Sequence, residues 1–244
     1  MADDSHRARL HGYDVSVADL GSGPQAVVLV HGIGVSRRYF GPLARILATD
    51  RRVVALDLPG FGASRGPREA LSIEEHATVV EQLIRESGLE RPVLVGHSMG
   101  AQVVTEVAAR NPGLAERVVL IGPVVQPGTR SAVRQAWRLL RDARFEPREA
   151  NAIMLTDWMR AGPRRYFATV PSMVDYPLED RLALITVPVV LIRGEHDPVT
   201  PLDYLHQLAV RPPDATVVEV VGTGHIAMYP RPELVAELCL GVRT

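Results

Sequence analysis

The chain has 244 residues, 46% of them hydrophobic, which is long enough for one large domain or two small ones around a substantial core and is not the composition of a disordered protein. A formal net charge of -1 leaves no global field to recruit nucleic acid or an anionic membrane. All 27 basic residues are arginine, so nucleophilic and Schiff-base lysine chemistry is excluded, and serine, histidine and carboxylate chemistry remain. Cys239 is the single cysteine, which rules out an internal disulfide framework and a multi-cysteine metal site and agrees with a reducing compartment. The first residues are polar, with Asp3 and Asp4 and no apolar core of a signal peptide, and the apolar runs Val27 to Val30 and Val187 to Ile192 are too short to span a bilayer. The expectation is a cytoplasmic protein with no membrane insertion.

Leu10, Tyr13, Val15 and Val17 alternate loosely with polar residues, which predicts an edge strand or hairpin arm before the turn at Gly21 to Pro24. Ala26 to Val30 is an unbroken apolar run, the pattern of a parallel strand covered on both faces, and it ends in His31-Gly-Ile-Gly34. Phe40, Leu43, Ile46 and Leu47 recur at helical spacing, and Arg52 to Leu56 is a second strand, ending at Asp57-Leu-Pro-Gly-Phe-Gly62. Ser72 and Glu75 form a capping box for a helix running to about Glu86. Val93 to Val95 lead into Gly96-His97-Ser98-Met99-Gly100 and a helix to Arg110. Asn111-Pro-Gly113 breaks the chain before the strand Arg117 to Ile121. Strand and helix alternate from Ala26 to Ile121, which argues for parallel strands joined by right-handed helical crossovers.

Residues 124–176 interrupt this rhythm. The stretch has helix-like pieces around Ser131 to Arg141 and Pro147 to Arg160, and it carries both tryptophans, Trp137 and Trp158, with Tyr166, Phe167 and Tyr176. It is too long for an ordinary crossover loop and short for an independent domain, so a helical cap over the C-terminal edge of the sheet fits. Most of its aromatics, with Met154, Met159 and Met173, are expected to glue the cap to the body, since a helical insertion needs its own buried face. Its nine arginines against five acids are read as solvated surface. Alternation then resumes with a short helix near Leu178 to Leu184, strand Val187 to Arg193, helix Pro201 to Val210, strand Ala215 to Val220 and helix Pro232 to Leu240. The expected division is a core domain in two parts, 1–123 and 177–244, around the 124–176 insertion.

Gly96-His97-Ser98-Met99-Gly100 fits Gly-x-Ser-x-Gly, a strand-to-helix turn tight enough that any Cβ at Gly96 or Gly100 would collide with its neighbours while the serine hydroxyl projects outward. A neutral serine needs a base, itself oriented by a third group. His225 follows the last strand in a glycine-containing loop that can bend over Ser98, and Asp197 stands at the end of the preceding strand, in the order serine, acid, histidine. Glu195 is the alternative acid if that loop turns early, and His196 is read as a loop residue. A developing oxyanion needs two aimed donors: Met99 N–H, at the N-terminus of its helix, and Ile33 N–H, in a loop that Gly32 and Gly34 allow to turn, with the N–H groups of Gly32 and Gly34 as the alternatives to Ile33.

The blocks His31 to Gly34, Asp57 to Ser64, Gly96 to Gly100, Gly194 to Pro198 and Gly224-His225 together resemble the α/β-hydrolase superfamily, serine-nucleophile carboxylesterase-like branch, over about 80% of the chain. The resemblance implies an α/β fold with a mostly parallel eight-stranded sheet covered by helices on both faces, a helical cap after the sixth strand, and a triad of Ser98, Asp197 and His225. It makes Asp57 a structural brace. Serine at 98 disfavours the aspartate-nucleophile members of the superfamily. The expected activity is hydrolysis of a small to medium ester, lactone or thioester through an acyl-serine, with water and an acyl substrate as partners and with no metal or organic cofactor. A carbon–carbon hydrolase of a diketo acid, an acyltransferase or cyclase, and a non-enzymatic small-molecule receptor using the same pocket are the rival readings. Self-association is left open.

Overall fold

Residues 4–124 and 145–241 are described by the computed structural model. Two antiparallel strands, β1 (Asp4–Leu10) and β2 (Tyr13–Leu20), open the chain. Parallel strands follow: β3 (Ala26–Val30), β4 (Arg52–Leu56), β5 (Val93–His97), β6 (Arg117–Ile121), β7 (Val189–Gly194) and β8 (Ala215–Val220). They form one sheet in the order β1-β2-β4-β3-β5-β6-β7-β8, with β2 antiparallel to β4. The alternating segment is thus an arm of a hairpin, as expected, and its partner β1 is the edge strand of the sheet. Strand β7 starts at Val189, two residues later than the apolar pattern suggests, because Pro188 has no N–H to add to a ladder.

Side chains alternate between the two faces of the sheet, so each continuous apolar strand feeds two cores. Val28, Val30, Val54, Leu56 and Leu94 point into one, covered by helices α2 (Ile73–Glu86) and α3 (Met99–Arg110). Val27, Leu29, Val53, Ala55, Val93 and Val95 point into the other, covered by α1 (Gly41–Leu47), which follows a short 3-10 helix at Arg37–Phe40, and by the last helix of the chain, whose Val235 and Cys239 join it. All five residues of β3 are buried. At roughly 1.5–3 kcal/mol per fully buried aliphatic side chain, that burial explains why the run defines a central strand. Helix α2 begins at the capping box read from the sequence: Ser72 Oγ accepts from Glu75 N–H and the Glu75 carboxylate accepts from Ser72 N–H.

Between β6 and β7 the chain leaves the sheet for an inserted helical region. It contains α4 (Arg148–Ala161) and α5 (Pro163–Asp175), and α6 (Leu178–Leu182) leads back to the body. The helix expected around Ser131 to Arg141 lies outside the described residues. Helices α7 (Leu202–Ala209) and α8 (Pro232–Leu240) complete the alternation. The insertion is anchored on α3, where Gln102 Nε2 donates to the Met173 carbonyl (2.8 Å) and Tyr176 Oη donates to Glu106 Oε2 (2.7 Å). Burial works to raise the Glu106 pKa, but hydrogen bonds from Tyr176, Arg181 and Arg110 outweigh it and hold the carboxyl below its usual range. Met173, Tyr166 and Tyr176 are buried as glue, whereas Met159 and Phe167 are exposed. No helix among the described residues is long and apolar enough to cross a membrane.

His76 on α2 is buried beside Phe61, and its Nδ1 meets no hydrogen-bond partner among the described residues. Desolvation, reinforced by His31 and Arg165, pushes its pKa down to about 3. The unfolded chain, with His76 near 6.5, therefore binds a proton that the native state refuses between pH 6.5 and 3, and stability must fall as pH drops through that window. Each pH unit inside it costs about 1.4 kcal/mol at full effect. Urea melts between pH 7 and 4 should show a slope for the wild type steeper by up to one proton than for His76→Leu; equal slopes would contradict this.

Candidate active site

All the parallel strands end at the same rim, and the loops that leave it carry the residues singled out above. Ser98 directly follows β5, with φ 55° and ψ -119°. A left-handed φ on a residue with a Cβ is strained, and it persists only where the surroundings leave no alternative. Here an added Cβ at Gly96 would lie 2.3 Å from the Gly100 carbonyl oxygen, and one at Gly100 would lie 2.1 Å from that of Val30. The turn is therefore closed against two backbones, and Ser98 N–H is tied to the Ile121 carbonyl of β6 (2.9 Å).

From the loop after β7, Asp197 Oδ1 accepts from the N–H groups of Val199 (2.7 Å) and Thr200 (3.1 Å), which leaves Oδ2 facing His225 Nδ1 at 2.8 Å. Both side chains are buried. A carboxylate opposite Nδ1 requires the proton there, so Nε2 is the basic nitrogen of His225. Glu195, the alternative acid, is half exposed and accepts instead from Gly222 N–H (2.9 Å). His196 is exposed to a similar degree, as a loop residue would be. The imidazole of His225 lies against Gly122, the residue after β6, whose φ is +54°; a Cβ there would stand 2.7 Å from His225 Cε1. Gly122 was not singled out in the sequence, although a glycine directly after a parallel strand was the signal available.

The loop after β3 is held at several points. His31 Nδ1 faces the Gly32 carbonyl (2.8 Å), and Nε2 accepts from Leu58 N–H (2.8 Å), so the proton sits on Nδ1. Burial lowers the pKa of His31 and keeps it neutral. Gly32 N–H donates to Tyr39 Oη (2.9 Å), Tyr39 Oη is 2.8 Å from His97 Nδ1, and His97 Nε2 is 3.1 Å from the His225 carbonyl. A carbonyl only accepts, so His97 carries its proton on Nε2 and Tyr39 donates to Nδ1. Burial first, and then the neighbouring His225, drives the His97 pKa well below its usual value, so both of its nitrogens are committed and it stays uncharged beside His225. Tyr39 is a positioning group that no local pattern announced.

Gly32 N–H is thus spent, whereas Ile33 N–H finds no acceptor among the described residues. Met99 opens α3, where the first amides have no partner within the helix. Asp57 accepts from Arg37 N–H (2.9 Å), Arg37 Nη1 (2.8 Å) and Ala63 N–H (2.9 Å), and so braces the loop from outside the site. From the insertion, Tyr166 and Trp158 lean over Gly34, with ring atoms 3.0 and 3.3 Å from where a Cβ would be. Glu146 Oε1 accepts from Ile226 N–H (2.9 Å), next to His225. Among the described residues no group of three or more histidine, cysteine or acidic side chains is gathered to hold a metal ion.

A mostly parallel eight-stranded sheet with an inserted helical region after its sixth strand, and a serine turn at the C-terminal rim, defines the α/β-hydrolase class of enzyme fold. The chain belongs to the alpha/beta hydrolase family, whose model it matches over residues 27–238. It is 27% identical over 255 residues to 2-(acetamidomethylene)succinate hydrolase of Mesorhizobium japonicum, covering 94% of this chain and 91% of that one. It is 27% identical over 241 residues to the uncharacterized hydrolase YugF of Bacillus subtilis, covering 88% of each. Among solved structures, the enol-lactonase of Burkholderia xenovorans superposes with a TM-score of 0.83 at 21% identity, over 97% of this chain and 98% of that one; at that identity the likeness is one of fold.

Proposed function

We propose that the chain is a serine hydrolase that cleaves a small to medium ester, lactone or thioester through an acyl-serine intermediate. The observation that carries this reading is the buried Asp197–His225 pair at the rim where Ser98 is held in its strained turn. Ser98 Oγ attacks the carbonyl carbon while His225 Nε2 takes its proton. Asp197 holds the other face of the imidazole and stabilises its charged form without taking the proton itself. The N–H groups of Ile33 and Met99 receive the oxyanion, with the N-terminal dipole of α3 behind the second of them. His225 then returns the proton to the leaving group, and the same histidine activates water to release the acid.

The two neighbouring histidines are poor rivals for the base: His97 has both nitrogens engaged, and His31 Nε2 already accepts from Leu58. The name of one relative, a hydrolase of a substituted succinate, supports carboxylic acyl substrates of modest size. Incubation with a fluorophosphonate followed by peptide mapping should place one phosphonyl group on Ser98. p-Nitrophenyl acetate, p-nitrophenyl butyrate and a simple γ-lactone should separate ester from lactone preference by kcat/KM. Absence of both labelling and turnover would overturn the reading.

A further inference from the structure

Asp157 is fully buried although it belongs to α4, a helix of the insertion with exposed neighbours at Leu155 and Met159. A buried carboxylate is costly unless it is paired and hydrogen-bonded. Its partners all lie outside the sheet: Ser36 Oγ donates to Oδ2 (2.5 Å), Arg38 Nη1 pairs with Oδ1 (2.9 Å), and Arg160 of its own helix stands at 3.6 Å. Ser36 is itself buried and closes the His31 to Ser36 loop, where its Oγ also caps the 3-10 helix by accepting from Arg38 N–H. That loop carries the Ile33 N–H. Its start is fixed from within the body, by Leu58 on His31 and by Tyr39 on Gly32, and its far end is held from two sides, by the insertion through Asp157 on Ser36 and by the body through Asp57 on Arg37 N–H.

We propose that Asp157 is a positioning residue through which the cap completes the oxyanion site: the Asp157–Ser36 hydrogen bond sets the path of the loop and so aims Ile33 N–H. The proposal rests on the acyl-transfer reading above. A cap that only shapes the substrate pocket would act on substrate and transition state alike, which appears in KM. A cap that aims an oxyanion donor acts on the charge that develops during attack, which appears in kcat. A displacement of one donor by about 1 Å is enough for roughly a 100-fold loss.

The test uses the full-length protein with p-nitrophenyl butyrate as substrate and a phenylboronic acid as mimic of the tetrahedral adduct on Ser98. Ser36→Ala, which leaves Asp157 paired with Arg38 and the cap in place, should lower kcat on the order of 10- to 100-fold, with KM changed less than about twofold and boronate affinity falling by the same factor as kcat/KM. Asp157→Ala should do the same, Asp157→Asn should recover most of the loss because its amide oxygen still accepts from Ser36, and the double variant Ser36→Ala/Asp157→Ala should be no worse than the weaker single one. Unchanged kcat in Ser36→Ala, a loss confined to KM, or unaltered boronate affinity would overturn the clamp while the active wild type keeps the hydrolase reading intact. A wild type that neither labels nor turns over would overturn both.

Discussion

Ser98→Ala should lower kcat toward p-nitrophenyl esters by roughly four to six orders of magnitude and abolish fluorophosphonate labelling, with the melting temperature unchanged within a degree or two. The substitution removes one oxygen and leaves the turn alone. The φ of 55° at this position is imposed by the approach of Gly96 and Gly100 to neighbouring backbone, and alanine must adopt it just as serine does. Some catalysis over water should survive, because aimed backbone donors act on the carbonyl without any nucleophile on the enzyme. Activity within tenfold of wild type in a correctly folded variant would remove serine from the mechanism.

The second large effect is expected at a residue that touches no reacting atom. In Gly122→Ala the new methyl would be placed 2.7 Å from His225 Cε1, 2.8 Å from Nδ1 and 3.4 Å from Asp197 Oδ2. The imidazole has little room to yield, since Asp197 holds one edge and the His97 ring lies 4.7 Å away. A forced shift of the base by about 1 Å should cost on the order of 100-fold in kcat/KM. The left-handed backbone adds a destabilisation of about 1–2 kcal/mol. Gly113→Ala separates the two contributions: its φ is +87° but a Cβ there meets nothing within 4 Å, so it should share the stability loss and keep full activity. If Gly122→Ala is as active as Gly113→Ala, the ring is not confined in the way described.

The strands were legible because a sheet covered on both faces demands unbroken apolar runs, and Ala26 to Val30, Arg52 to Leu56 and Arg117 to Ile121 are bounded by turn residues at the positions where the ladders stop. Helix α2 was legible at its start through Ser72 and Glu75, a local hydrogen-bond exchange visible in four consecutive residues. The location of Ser98, Asp197 and His225 at one rim follows from parallel strands pointing the same way, which alternation alone predicts. What supports them was not readable. Tyr39 and His97 are 58 residues apart, and Ser36 and Asp157 are 121 apart. No periodicity links such pairs, and a tyrosine or aspartate on a helix reads as core or surface until its partner is in place. The fate of the cap's apolar residues was equally hidden, since Met173 and Met159 look alike in the text and only the packing of α5 on α3 buries the first.

The placement of the tryptophans has a practical consequence. Both lie in the segment between β6 and β7, and Trp158 leans over Gly34. Intrinsic emission excited at the red edge, where tyrosine is silent, is therefore a private signal of that insertion, while far-ultraviolet dichroism is dominated by the body. Denaturation followed by both probes would separate detachment of the insertion from collapse of the sheet, and an occupant near Gly34 would announce itself by quenching without any dye.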